Sequence, residues 1–198
     1  MDPYDILVEA ESRLVALVKS LEPGDLARPT PCGGWDVRTL LSHTVAGIEI
    51  FASTIDGADA PTAADMFGGR DLLGHDPVAA TLHAVTRSQA AWGALDDPER
   101  EVATILGPLP AAQMLAITAF ATVVHGWDLA VAIDQEITEL PDELLAHARA
   151  VAAEHVPVLR AGDDHSLFLP EVPAPADATP TQELMAFLGR TPVPTTPR

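Results

Sequence analysis

The stretch "FATVVHGWDLAVAI" (120–133) reads as the inner part of a long apolar helix, yet it carries His125 and Asp128 with Trp127 between them. Extended upstream, "MLAITAFATVVHGWDLAVAI" (114–133) is long enough to span a bilayer. The His and Asp lie well inside it, however, and no Lys or Arg flanks either end as membrane anchors do. The segment therefore reads as the central buried helix of a soluble bundle. An ionisable pair in the most hydrophobic part of a chain costs free energy unless it is paired or put to use.

The surrounding composition supports a helical core. Hydrophobic residues make up 47% and charged residues 20% of the 198 residues, a globular balance for one domain. Aromatics are only 5%, and Ala, Leu and Val dominate, which favours helices over strands. The formal charge is −18, from 11 Lys and Arg against 29 Asp and Glu. Phosphate neutralisation needs basic side chains, so nucleic acid and anionic membranes are excluded as partners. A single cysteine, Cys32, rules out an intramolecular disulfide and suits a reducing cytoplasm. The start, "MDPYDILVEAESRL", lacks the basic end and apolar core of a signal peptide.

Helical periodicity and punctuation divide the chain. Residues 3–20 place Ile6, Leu7, Leu14, Leu17 and Val18 on one face after Pro3, and "EPGD" ends the run. Residues 27–35, rich in Pro and Gly, read as an irregular linker. Asp36 caps a helix to about Ile55, with Leu40, Leu41, Ile48 and Phe51 inward. A loop follows, and Asp76-Pro77 opens a third helix over 77–95. "EVATIL" (101–106) reads as a lone strand. The central helix follows Pro110, and a fifth runs over 141–159. Residues 161–180 form a Pro-rich loop before a short helix at 179–190, with Thr179 or Thr181 as cap and Gly189 as stop. The expected fold is an all-α bundle forming a single domain over 1–198, with residues 161–198 packed on it and at most one short strand.

His43, in "RTLLSHTVAGIEI", repeats the pattern of His125: an imidazole in an apolar helix with a small residue one turn away. Gly47 lies four after His43 and Ala121 four before His125, which leaves a hollow beside each ring. Two such histidines on facing helices form a metal site, or each is a core histidine with a local hydrogen bond. Asp128, three residues after His125, orients the ring, completes a ligand set, or caps a neighbouring backbone. Trp35 and Trp127 read as core filling. Cys32 reads as a small buried hydrophobe where a helix begins, the alternative being a reactive thiol. His75 and His165 sit in loops, and His83, His147 and His155 lack a ligand partner at i, i+4. No GxSxG, P-loop or GxGxxG pattern is present, so acyl-transfer and nucleotide chemistry have no support.

The pairing of "TPCGGWDVRTLLSHTVAG" with "VVHGWDLAVA", followed by "ADATPTQELMAFLGRTP", resembles the DinB-like superfamily. The resemblance is to its branch near the metal-binding domain of mycothiol-dependent maleylpyruvate isomerase, and it touches nearly the whole chain. It implies a four-helix core connected up-down-down-up and a divalent metal, zinc or nickel, between helices. Members of known activity are thiol-dependent isomerases or transferases, so mycothiol and a small-molecule substrate are the implied cofactor and partner. The motif's two histidines fall on His43 and His125. A carboxylate or histidine commonly stands four residues before the second; here that position is Ala121, which ligates nothing. The expected metal residues are therefore His43, His125 and Asp128. Two functions follow: a metal- and thiol-dependent isomerase or transferase, or a non-catalytic bundle with a degenerate site that binds a small ligand or associates, for instance as a homodimer through an apolar helix face.

Overall fold

A computed structural model describes residues 1–160 and 167–196. The chain falls into two compact units, Met1–Ile133 and Asp134–Arg198.

The first unit holds four long helices. Helix α1 (Pro3–Lys19) starts at Asp2, whose side chain accepts the Tyr4 N–H. Helix α2 (Val37–Asp56) starts at Asp36, which accepts both the backbone N–H and the hydroxyl of Thr39, at 2.8 and 2.7 Å. Helix α3 (Pro77–Gly93) starts at Asp76, which accepts the Ala79 N–H. Each cap satisfies a donor that the first turn leaves open. Helix α4 (Ala111–Ala132) follows directly from a β-hairpin. It is long and apolar enough to cross a membrane by length and composition, but 72% of its apolar window is buried inside the fold.

Side-chain pairs fix the direction of each helix. Tyr4, at the start of α1, donates to the Gln89 carbonyl and lies against Gly93 at the end of α3, so these two run oppositely. A Cβ at residue 93 would meet the Tyr4 hydroxyl at 3.2 Å, which explains a glycine there. Glu49 and Asp56 of α2 face His83 and Arg87 of α3 in the same order, so α2 and α3 run parallel. His43 meets His125, while Gly47 and Phe51 share a hollow with Thr118 and Ala121, so α2 and α4 are antiparallel. Leu17 faces Gly126, which sets α1 alongside α4, and the other three pairings make these two parallel. The expected up-down-down-up bundle is the observed one. Leu14, Val18, Leu40, Leu41, Val45, Ile48 and Leu129 form its core.

The strand expected at 101–106 is not alone. Strand β1 (Glu101–Thr104) pairs antiparallel with β2 (Gly107–Pro110), in the register Val102 to Leu109. Pro108 and Pro110 hide β2 from a strand reading, but in a two-stranded ribbon both strands are edges and tolerate a missing N–H. The loop between α2 and α3 also has local order, a π-type turn at Asp65–Gly69 that buries Met66.

In the second unit, α5 (Asp142–Arg160) and α6 (Pro180–Phe187) match the helices read from sequence. Thr179 is the cap: its hydroxyl accepts the Gln182 N–H while the Gln182 side chain accepts the Thr179 N–H. Thr181 instead is buried and accepts the Leu140 N–H at 3.0 Å. Gly189 has φ +82°, and a Cβ there would lie 2.7 Å from the Leu169 carbonyl oxygen. His165 lies outside the described residues.

One core residue breaks the apolar pattern. Glu11 lies on the buried face of α1 with no exposed surface, opposite Ser88 and Gln89. Those two stand close enough to favour its charged form, but no hydrogen bond of normal geometry reaches either oxygen. Burial pushes its carboxyl up to about 7. The unfolded chain ionises Glu11 at lower pH than the fold does, so this stability term is full below about 4.5 and is lost as pH rises through about 7. Glu11→Gln should remove that slope, leaving stability near pH 4 unchanged and raising it at pH 8, by up to about 3 kcal/mol. Urea melts at the two pH values check this; equal effects at both would contradict it.

Candidate metal centre

The loop ahead of α2 is irregular, as its sequence reads, and is tied together by its own hydrogen bonds. Thr30 N–H donates to the Trp35 carbonyl at 3.0 Å, and Trp35 N–H donates to the Cys32 carbonyl at 3.0 Å. The Thr30 hydroxyl accepts the Cys32 N–H at 3.2 Å, and Val37 N–H closes the base on the Arg28 carbonyl. Gly34 turns the chain at φ +81°, a conformation that side chains other than glycine's disfavour. The result is a small rigid turn that carries Cys32 on one side and Trp35 on the other.

Cys32 reaches across to α4. Its Sγ donates to Asp128 Oδ2 at 3.3 Å, and His125 Nδ1 stands 3.2 Å from the same oxygen. Asp128 has no exposed surface; Cys32 and His125 are partly buried. One donor atom from each of the three lies within 4.8 Å of the others. Cys32 also packs against the hydrophobic core, as its reading from sequence expected, but its thiol has this second, polar role.

His43 faces this group from α2. Its Nδ1 lies 2.7 Å from the Met66 carbonyl, which assigns the proton to Nδ1 and leaves the lone pair on Nε2. Its ring centre is 4.9 Å from that of His125, at 85°, and 4.7 Å from a ring of Trp35. Trp35 therefore borders the site rather than merely filling core. Burial, with some repulsion from His125, lowers the His43 pKa to about 4, so the imidazole is neutral at neutral pH. Between the two histidines is a hollow of about 20 Å³, room for one water, with Ala121 in its wall. Gly47, expected to open space beside His43, does so, and the Met66 methyl group lies over it. Thr118 and Thr122 also line the hollow, but their hydroxyls donate to the Met114 and Thr118 carbonyls.

Of the expected residues, the fold brings His125 onto Asp128 and His43 beside His125, and it places Ala121 at the gap. Spacing did not reveal Cys32 as their companion: 96 positions separate it from Asp128. The only local signal was an isolated cysteine next to a Gly-Gly turn. Among the described residues His75, His83, His147 and His155 join no such donor group. A nitrogen, a sulfur and a carboxylate oxygen suit zinc, and imidazole also suits nickel. In the metal-free protein His43 contributes stability that is full above about 6.5 and is lost as pH falls toward about 4. Its imidazole resonances should stay in the neutral form down to about pH 4 in an NMR titration; an ordinary midpoint near 6.5 would contradict the burial argument.

Comparisons with known proteins show the fold and the family. Two proteins of Mycobacterium tuberculosis, "Uncharacterized protein MT0763" (strain CDC 1551 / Oshkosh) and "Uncharacterized protein Rv0738" (strain ATCC 25618 / H37Rv), are each 29% identical over 195 residues. The match covers 96% of this chain and 99% of each relative. The crystal structure of the mycothiol-dependent maleylpyruvate isomerase matches with a TM-score of 0.63 at 17% identity, over 81% of this chain and 72% of that one. A histidine-to-alanine mutant of the same enzyme matches with a TM-score of 0.61. These structural matches establish the shared DinB-like fold. The sequence profile of the mycothiol maleylpyruvate isomerase N-terminal domain matches residues 7–130, which span all four bundle helices, and the chain belongs to that family.

Proposed function

We propose that this chain is a divalent-metal protein that acts with a small-molecule thiol, mycothiol, as an isomerase or transferase on a small cytoplasmic substrate. The ion belongs at His125, within the group of His43, His125 and Asp128. The observation that carries this reading is the convergence itself: Asp128 Oδ2 at 3.2 Å on one side of His125 and the neutral His43 ring at 4.9 Å on the other. Family membership and the fold shared with the mycothiol-dependent maleylpyruvate isomerase support the thiol chemistry.

A bound zinc or nickel ion supplies Lewis acidity, which lowers the pKa of a neighbouring thiol or water. The chain's own residues prepare the place. Asp128 Oδ2 and His125 Nδ1 stand 3.2 Å apart, so the carboxylate and the ring converge on one point. Met66 holds His43 in one tautomer with its Nε2 lone pair available. Trp35 and Phe67, with ring centres 4.7 and 5.8 Å from that of His43, screen the group from water. Excluding water strengthens every electrostatic contact made inside.

Ala121 favours a second reading. It provides no donor where a third ligand is expected, beside both histidines. A bundle of that kind binds a small molecule without transforming it. Elemental analysis of purified, untagged protein separates the two. The metal reading predicts close to one zinc or nickel per chain, lost in His125→Ala, with turnover of unsaturated small acids that requires both metal and thiol. No metal after incubation with excess zinc would sink the first reading and leave the second.

A further inference from the structure

Resting on the metal reading above, we infer that the third protein ligand is Cys32, so that the donor set is Cys32, His125 and Asp128. The thiolate then stands in for the donor that position 121 lacks. In tetrahedral zinc sites, bonds of about 2.3 Å to sulfur and about 2.0 Å to nitrogen and oxygen place neighbouring donors about 3.3 to 3.5 Å apart. The Cys32 Sγ to Asp128 Oδ2 and His125 Nδ1 to Asp128 Oδ2 separations, 3.3 and 3.2 Å, already have that size. All three donor atoms fall within 4.8 Å.

The hydrogen bonds explain how the group holds together without metal. The thiol hydrogen and the His125 Nδ1 hydrogen both point at one carboxylate oxygen, and a cation placed among the three atoms replaces both. Cys32 gives its proton to solvent and becomes a thiolate. The His125 proton moves from Nδ1 to Nε2, so the ring stays neutral, and Asp128 is already a carboxylate. The net change is one proton released per ion, as metal binding to a thiol requires. His43 offers the ion only Nε2, since its Nδ1 is held by Met66, and its ring borders the hollow. The Thr30 and Trp35 hydrogen bonds and the Gly34 turn keep Cys32 in place before the ion arrives.

Cobalt(II), added to the metal-free full-length protein, tests the assignment. The expected result is about one cobalt per chain with a near-ultraviolet thiolate-to-cobalt charge-transfer band. That band disappears in Cys32→Ser, with affinity reduced at least about tenfold, and persists in His43→Ala. Zinc should also protect Cys32, the sole cysteine, from iodoacetamide; this readout on the unaltered protein serves if Cys32→Ser does not fold. Cobalt bound without a thiolate band, with alkylation unimpeded, would remove Cys32 from the set and leave the metal reading standing. Neither cobalt nor zinc binding would overturn both.

Discussion

The constraint on which the rest of the structure depends is the Asp128 carboxylate, which sits in the last turns of α4 with no exposed surface. A carboxylate removed from water costs several kcal/mol unless donors replace its hydration. Here a thiol from the loop before α2 and an imidazole from α4 itself both turn toward the same oxygen. The loop that presents the thiol also presents Trp35, whose ring lies against His43 of α2. Asp128 thus ties the loop before α2 to the end of α4.

Most of the helical fold was legible, because local rules suffice for it. Asp2-Pro3, Asp76-Pro77 and Thr179-Pro180 each put a capping side chain directly before a proline suited to the first turn, and each begins a helix. The hairpin was half legible: β1 is β-branched, while the prolines of β2 conceal a strand that only pairing defines. The hydrogen bonds within the turn at 28–36 were not legible, since they join residues across a Gly-Gly pair and leave no periodic trace. Glu11 was legible in principle, falling one turn from both Leu7 and Leu14 on the apolar stripe of α1.

The site was legible in outline for a different reason. A histidine or an aspartate within an apolar helix is conspicuous, so His43, His125 and Asp128 could be singled out one at a time. What joins them is tertiary. The contact of Cys32 with Asp128 depends on how a loop crosses a helix nearly half the chain away, and no spacing rule encodes it. Ala121 shows the converse: the absence of a donor could be read from sequence, but the hollow it leaves and the thiol nearby needed coordinates.

In the proposal, the buried group around Asp128 is a preformed cation site held closed by protons. Calorimetric titration of zinc into the metal-free protein, repeated in two buffers of different ionisation enthalpy, tests this most directly, because it counts ions and protons together. The expected result is one-to-one binding with release of about one proton at neutral pH, both abolished in Asp128→Asn that remains folded by circular dichroism. Absence of binding heat, or binding that Asp128→Asn leaves intact, would contradict it.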